Sequence, residues 1–107
     1  MRRIEISETI HNSIDSKEDL QIFGTVNGNI YCEGTVIVEV SGIVSGEIRS
    51  VHTHIKGTVT GFLYAQKHVI MTDQAVFHGV LDCSTLVTTI GVEIIGEVRV
   101  RPQNLES

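Results

Sequence analysis

The stretch Gly42-Ile43-Val44-Ser45-Gly46-Glu47-Ile48 decides the fold, because its pattern recurs along the whole chain. It returns as Gly24-Thr25-Val26-Asn27-Gly28-Asn29-Ile30 and as Gly57-Thr58-Val59-Thr60-Gly61-Phe62-Leu63. Val76-Phe77-His78-Gly79-Val80-Leu81 and Glu93-Ile94-Ile95-Gly96-Glu97-Val98 continue it. The reference glycines at 28, 46, 61, 79 and 96 are spaced by 18, 15, 18 and 17 residues. An earlier, degenerate copy, Ile10-His11-Asn12-Ser13-Ile14, puts Asn12 at the glycine position. Asn is the residue best able to replace Gly where φ must be positive.

Set beneath one another, the copies form columns. Two residues before the glycine stand Ile10, Val26, Val44, Val59, Phe77 and Ile94; two after it stand Ile14, Ile30, Ile48, Leu63, Leu81 and Val98. Four after it come Ser16, Cys32, Ser50, Ala65, Cys83 and Val100, and ten before it come Val36, Val51, Val69 and Leu86. All these offsets are even, which is the parity of a strand whose alternate side chains face inward. Intervening positions such as Glu47, Arg49, Asp82, Glu97 and Arg99 are mostly polar. A period near 17 with alternation and no helical segment predicts a coil of short strands. The fold expected is all-β: a right-handed parallel β-helix, a triangular solenoid of about six coils of roughly 17 residues. At ~4.8 Å per coil such a rod is about 30 Å long. A single domain is expected over residues 1–101, followed by a short tail at 102–107.

The bulk numbers agree. A chain of 107 residues holds one domain, and 41% hydrophobic content supplies a core. Ten glycines against one proline point to many tight turns and few long loops. A net charge of −5 disfavours nucleic acid as a partner, since phosphate neutralisation needs clustered Lys and Arg. No apolar run approaches the roughly 20 residues that span a bilayer. Met1-Arg2-Arg3 has no apolar stretch behind it and so does not read as a secretory signal. With two cysteines and no export signal, a cytoplasmic location is expected, without direct membrane insertion.

At this point the residues resemble the bactofilin family of bacterial cytoskeletal proteins. The likeness lies in the repeated G-x-V-x-G-x-I phrases, in the entry Ile10-x-Asn12-x-Ile14 followed by Asp19-Leu20-x-Ile22-x-Gly24, and in the closing Ile95-Gly96-Glu97-Val98-Arg99. The resemblance implies a structural scaffold that polymerises end to end, without nucleotide, into filaments lacking polarity. Such filaments serve cell-shape, envelope or polar-organisation proteins. Family members commonly carry disordered tails, and some a short apolar N-terminal membrane segment; Met1-Arg2-Arg3-Ile4-Glu5 does not look like one.

End-to-end assembly also follows from the coil itself. A β-helix ends in strands with unpaired N–H and C=O groups, and stacking a second copy satisfies them. The first coil offers Ile4, Ile6, Ile10 and Ile14 as an end contact, and the last offers Ile90, Ile94, Val98 and Val100. Identical ends meeting head to head and tail to tail cancel polarity. The alternative is a capped β-helical interaction module that does not polymerise. Nine residues before the glycine, where polar residues are expected, stand Ile37, His52, Ile70 and Val87; this outward stripe reads as a lateral or partner face.

Catalytic chemistry finds no foothold, and neither enzyme activity nor a cofactor is expected. His52-Thr53-His54 has two imidazoles on one strand face, with Glu39 the acidic residue nearest in the columns. Solvated surface histidines are the simpler reading, so no metal is expected. Cys32 and Cys83 share an inward column three coils apart, roughly 14 Å, beyond the ~7 Å Cα limit of a disulfide. The glycine phrases lead into strands and not into a helix whose N-terminus could hold phosphate. A left-handed hexapeptide β-helix, the acyltransferase architecture, needs spacings that are multiples of six, and two of the four break that rule.

Overall fold

The computed structural model describes residues 2–72 and 75–101. The expected tail at 102–107 lies outside the described residues. Among the described residues twelve strands follow one another: β1 (Arg2–Ile4), β2 (Thr9–Ile10), β3 (Ile14–Ser16), β4 (Leu20–Ile22), β5 (Thr25–Asn27) and β6 (Ile30–Cys32). They continue with β7 (Thr35–Val38), β8 (Ile43–Ile55), β9 (Thr58–Met71), β10 (Val76–Cys83), β11 (Thr85–Thr88) and β12 (Glu93–Val100). Every pairing is parallel, and each coil hydrogen-bonds to the next. The result is a parallel β-solenoid of about 6 turns, as the repeat requires.

The coil stacks three ladders. One runs β1–β4–β7 and on through the second halves of β8 and β9 to β11. A second runs β2–β5 into the first halves of β8, β9, β10 and β12; the third runs β3–β6 into the segments that follow the reference glycines. Inward side chains repeat down each ladder. Val26, Val44, Val59 and Phe77 line one, Ile14, Ile30, Ile48, Leu63 and Leu81 another, all buried. β-Branched residues suit this geometry because their stiff χ1 packs flat against the coil above.

Gly46, Gly61, Gly79 and Gly96 form their own column, with φ of 143°, 125°, 132° and 129°. At Gly61 and Gly79 the backbone of the preceding coil sits where a Cβ would be, so the column is closed to other residues. The uneven spacings 18, 15, 18 and 17 have a simple origin at the other two corners. Between the third-ladder and first-ladder strands the corner is three residues in the first coil (17–19) and then two (33–34, 66–67) or one (51, 84). Between the first-ladder and second-ladder strands it is four residues (39–42, 89–92) or two (23–24, 56–57).

This corner variation corrects two of the columns. Counting back from Gly61 crosses the short corner 56–57, so the count overshoots by two. The residue in register with Val36 and Val69 is Thr53, which is 1% exposed, and not Val51, which forms the one-residue corner. The residue between Ile37 and Ile70 is His54, not His52. His52 instead stands between Thr35 and His68. An error of two residues preserves strand parity, so His52 still faces outward, while Val51, expected inward, falls on the corner.

Candidate functional site

The features that can carry function in a filled rod are its two ends and its outer faces. At the first coil, β1, β2 and β3 have partners on one side only among the described residues. Ile4 and Ile14, expected as end contacts, are 2% and 3% exposed and belong to the core. They stand in register with the buried Ile22 and Ile30 of the next coil. Ile10 is half-buried and Ile6 is exposed. The rest of this end is polar: Arg2, Arg3, Glu5 and Glu8 are exposed, and the Glu5 amide donates to Glu8 Oε1 at 2.7 Å.

The last coil is different. β11 and β12 also pair on one side only among the described residues. Here Ile94 is half-buried against the core, Val98 and Val100 are exposed at 39% and 44%, and Ile90 is fully exposed. Val98 and Val100 continue the inward columns of Leu81 and Cys83, and among the described residues no strand pairs with β12 on its other side. Of the residues expected at the two ends, the exposed apolar ones therefore concentrate at the C-terminal end.

On the first ladder the outward column runs Ile37, His54, Ile70 and Val87, with Ile70 and Val87 exposed. His54 Nε2 lies 3.1 Å from Thr72 Oγ1. Glu39 is engaged elsewhere: Gln21 Nε2 donates to it at 2.6 Å and Lys56 Nζ lies 3.5 Å away. His52, His54 and Glu39 are thus not brought together as one ligand set, and no group of three or more His, Cys, Asp or Glu among the described residues is arranged to hold a metal.

The third ladder holds a feature that the sequence reading passed over. Tyr31, Arg49, Tyr64 and Asp82 stack in register on its outer side. Beside them lies a shallow groove of about 420 Å3, whose lining includes Asp15, Tyr31, Arg49, Tyr64 and Gln66. Arg101 Nε donates to Asp82 Oδ1 at 2.7 Å, and its guanidinium sits 5.5 Å from the Tyr64 ring centroid. The signal was available: each of these ladder residues lies three after its reference glycine.

The two cysteines are buried and unpaired. Burial pushes both thiols above their ordinary range, and the Asp82 carboxylate adds to the effect at Cys83. A thiol held protonated is a poor nucleophile. Cys32 Sγ lies 3.3 Å from the Glu18 carbonyl oxygen, a placement that fits a packed side chain.

Comparison with known proteins decides the class of such a rod. Residues 3–99 match the family described as bactofilin, polymer-forming cytoskeletal. The chain belongs to the bactofilin family. It is 32% identical over 92 residues to bactofilin BacO of Myxococcus xanthus strain DK1622, a match covering 86% of this chain and 73% of that protein. No solved structure matches the chain. Bactofilins are a structural, cytoskeletal family and not an enzyme family. In this bactofilin no helix among the described residues is long and apolar enough to cross a membrane.

Proposed function

We propose that this bactofilin is a cytoskeletal scaffold that assembles end to end, without nucleotide, into non-polar filaments that position cell-shape or envelope proteins. The observation that carries the reading is the C-terminal end, where Ile94, Val98 and Val100 stand beside the edge of β12 that has no strand partner among the described residues. A second copy rotated onto that edge buries the apolar side chains and satisfies the backbone groups together. The polar first coil makes the opposite junction, where backbone pairing and charge contribute more than apolar area. The alternating contacts give a filament without direction. The Ile37–Ile70–Val87 column is the face through which filaments meet one another or a partner, which would bring them to the inner side of the membrane.

Negative-stain electron microscopy across a protein concentration series, without nucleotide or metal, tests the assignment. Filaments a few nanometres wide that lengthen with concentration are expected. Discrete small particles at every concentration would overturn it in favour of a capped interaction module.

A further inference from the structure

His52 on β8 and His68 on β9 are in-register neighbours on the outer side of the first ladder. Their rings are stacked, with centroids 5.0 Å apart and planes 15° from parallel. The separation is the spacing of hydrogen-bonded strands, ~4.8 Å, carried out to the side chains. Along the same column stand Thr35 before His52 and Thr85 after His68, both small and polar. His52 is half-buried and His68 is exposed, so the pair is open to solvent from one side. The pairing became visible only with the true register, because the sequence columns placed His52 beside Ile37 and Ile70.

We propose that His52 and His68 together form a binding site for a divalent late transition-metal ion, with copper(II) held most tightly. Imidazole nitrogen is a ligand well matched to these ions, and a fixed nitrogen site takes them in the order Cu > Ni for any geometry that suits both. Two nitrogens bound side by side to one ion at ~2.0–2.1 Å lie about 3 Å apart. Rotations about χ1 and χ2 tilt the ring edges of a stacked pair to that separation, while the ladder holds the two backbones in place. The strands have already ordered the backbone, so binding costs little beyond the two rotamers. Water fills the other coordination positions. His54 stays outside the site: it lies in the neighbouring column and its Nε2 faces Thr72. The residues flanking the pair, Thr35 and Thr85, bring no carboxylate, and Asp19 beyond Thr35 is engaged by the Thr35 amide at 3.0 Å, so the hard ions magnesium and calcium, which take oxygen ligands, are disfavoured.

An ion held by both residues also joins two successive coils, and a ligand that binds the folded chain alone raises its stability. The test uses the full-length protein, stripped with chelator and titrated with CuCl2, NiCl2 and MgCl2 by calorimetry and thermal denaturation. One copper or nickel ion per chain is expected, with a rise in melting temperature that chelator reverses and no response to magnesium. H52N and H68N should each weaken copper binding at least tenfold, while H78N, at an exposed position on another face, should bind as wild type does. Copper binding equal to wild type in H68N, or a wild-type affinity no better than that of the H52N/H68N double variant, overturns the proposal. Position 68 is exposed, so H68N keeps the test decisive even if H52N disturbs folding; far-UV circular dichroism checks this. None of these outcomes depends on filament formation.

Discussion

Ser50 Oγ and Thr53 Oγ1 hydrogen-bond to one another inside the solenoid, across the corner that Val51 turns alone. Both residues are buried, at 6% and 1% exposure, in columns that are otherwise apolar or sulfur-bearing apart from Ser16. Each hydroxyl answers the other, and no described buried side-chain N or O is left without a partner. Thr53→Val alone should therefore destabilise the chain by about 1–3 kcal/mol, the cost of an orphaned buried hydroxyl. Ser50→Ala with Thr53→Val should cost less than the sum of the two single changes. A urea-denaturation double-mutant cycle measures the coupling, and additive losses would mean that the two hydroxyls act independently.

The glycine column predicts a steep local cost. Gly79→Ala places a Cβ against the Gly61 carbonyl at a φ of 132°, which L-residues rarely adopt. The strained backbone alone is worth about 1–3 kcal/mol. Gly34→Ala should be milder, because the nearest atom there is the Asp19 side-chain oxygen, which can swing aside. Chemical denaturation midpoints should fall much further for G79A than for G34A; equal losses would show that the stacked backbones relax freely.

Assembly and folding should separate by position along the rod. Val98→Arg puts a charge into the proposed end junction at a site that is already 39% exposed, so melting temperature should hold while filaments shorten. Leu63→Asp puts an unpaired carboxylate into a fully buried site mid-rod and should abolish folding. Electron microscopy beside circular dichroism distinguishes the two. V98R filaments as long as wild type would locate the junction elsewhere.

Alkaline pH should weaken the fold through the cysteines. Both thiols are raised in the folded chain, chiefly by burial, so the unfolded chain gives up its thiol protons first. Their contribution is fully present below about pH 8.5, the ordinary thiol value, and is lost as pH climbs from there through the raised folded values. The melting temperature of wild type should fall over that range more steeply than that of the Cys32→Ala/Cys83→Ala variant. Parallel pH profiles would remove the thiols from the account.

Much of this was legible in the chain. Period, parity and the glycine column gave the parallel solenoid, since each is a local property of one coil copied into the next. What eluded the columns was length variation at the corners, a property of turns that leaves the strand pattern intact. It moved Thr53 out of view behind Val51 and hid the His52–His68 pair. The status of Ile4 and Ile14 was hidden for another reason: an inward residue in a terminal coil reads the same whether the end is enclosed or open, and only the packing distinguishes them.

The corners that vary between two and four residues also mark where this chain tolerates growth. Adding or removing a residue pair at 39–42 or 89–92 leaves every later side chain on its original side of the wall, and the glycine column remains stacked. That vertex is thus a seam along the rod, open to grafted peptides or fluorescent tags at intervals of one coil. In the non-polar polymer proposed above every subunit would carry the seam, so a single graft would be displayed once per subunit, successive copies being related by a two-fold rotation.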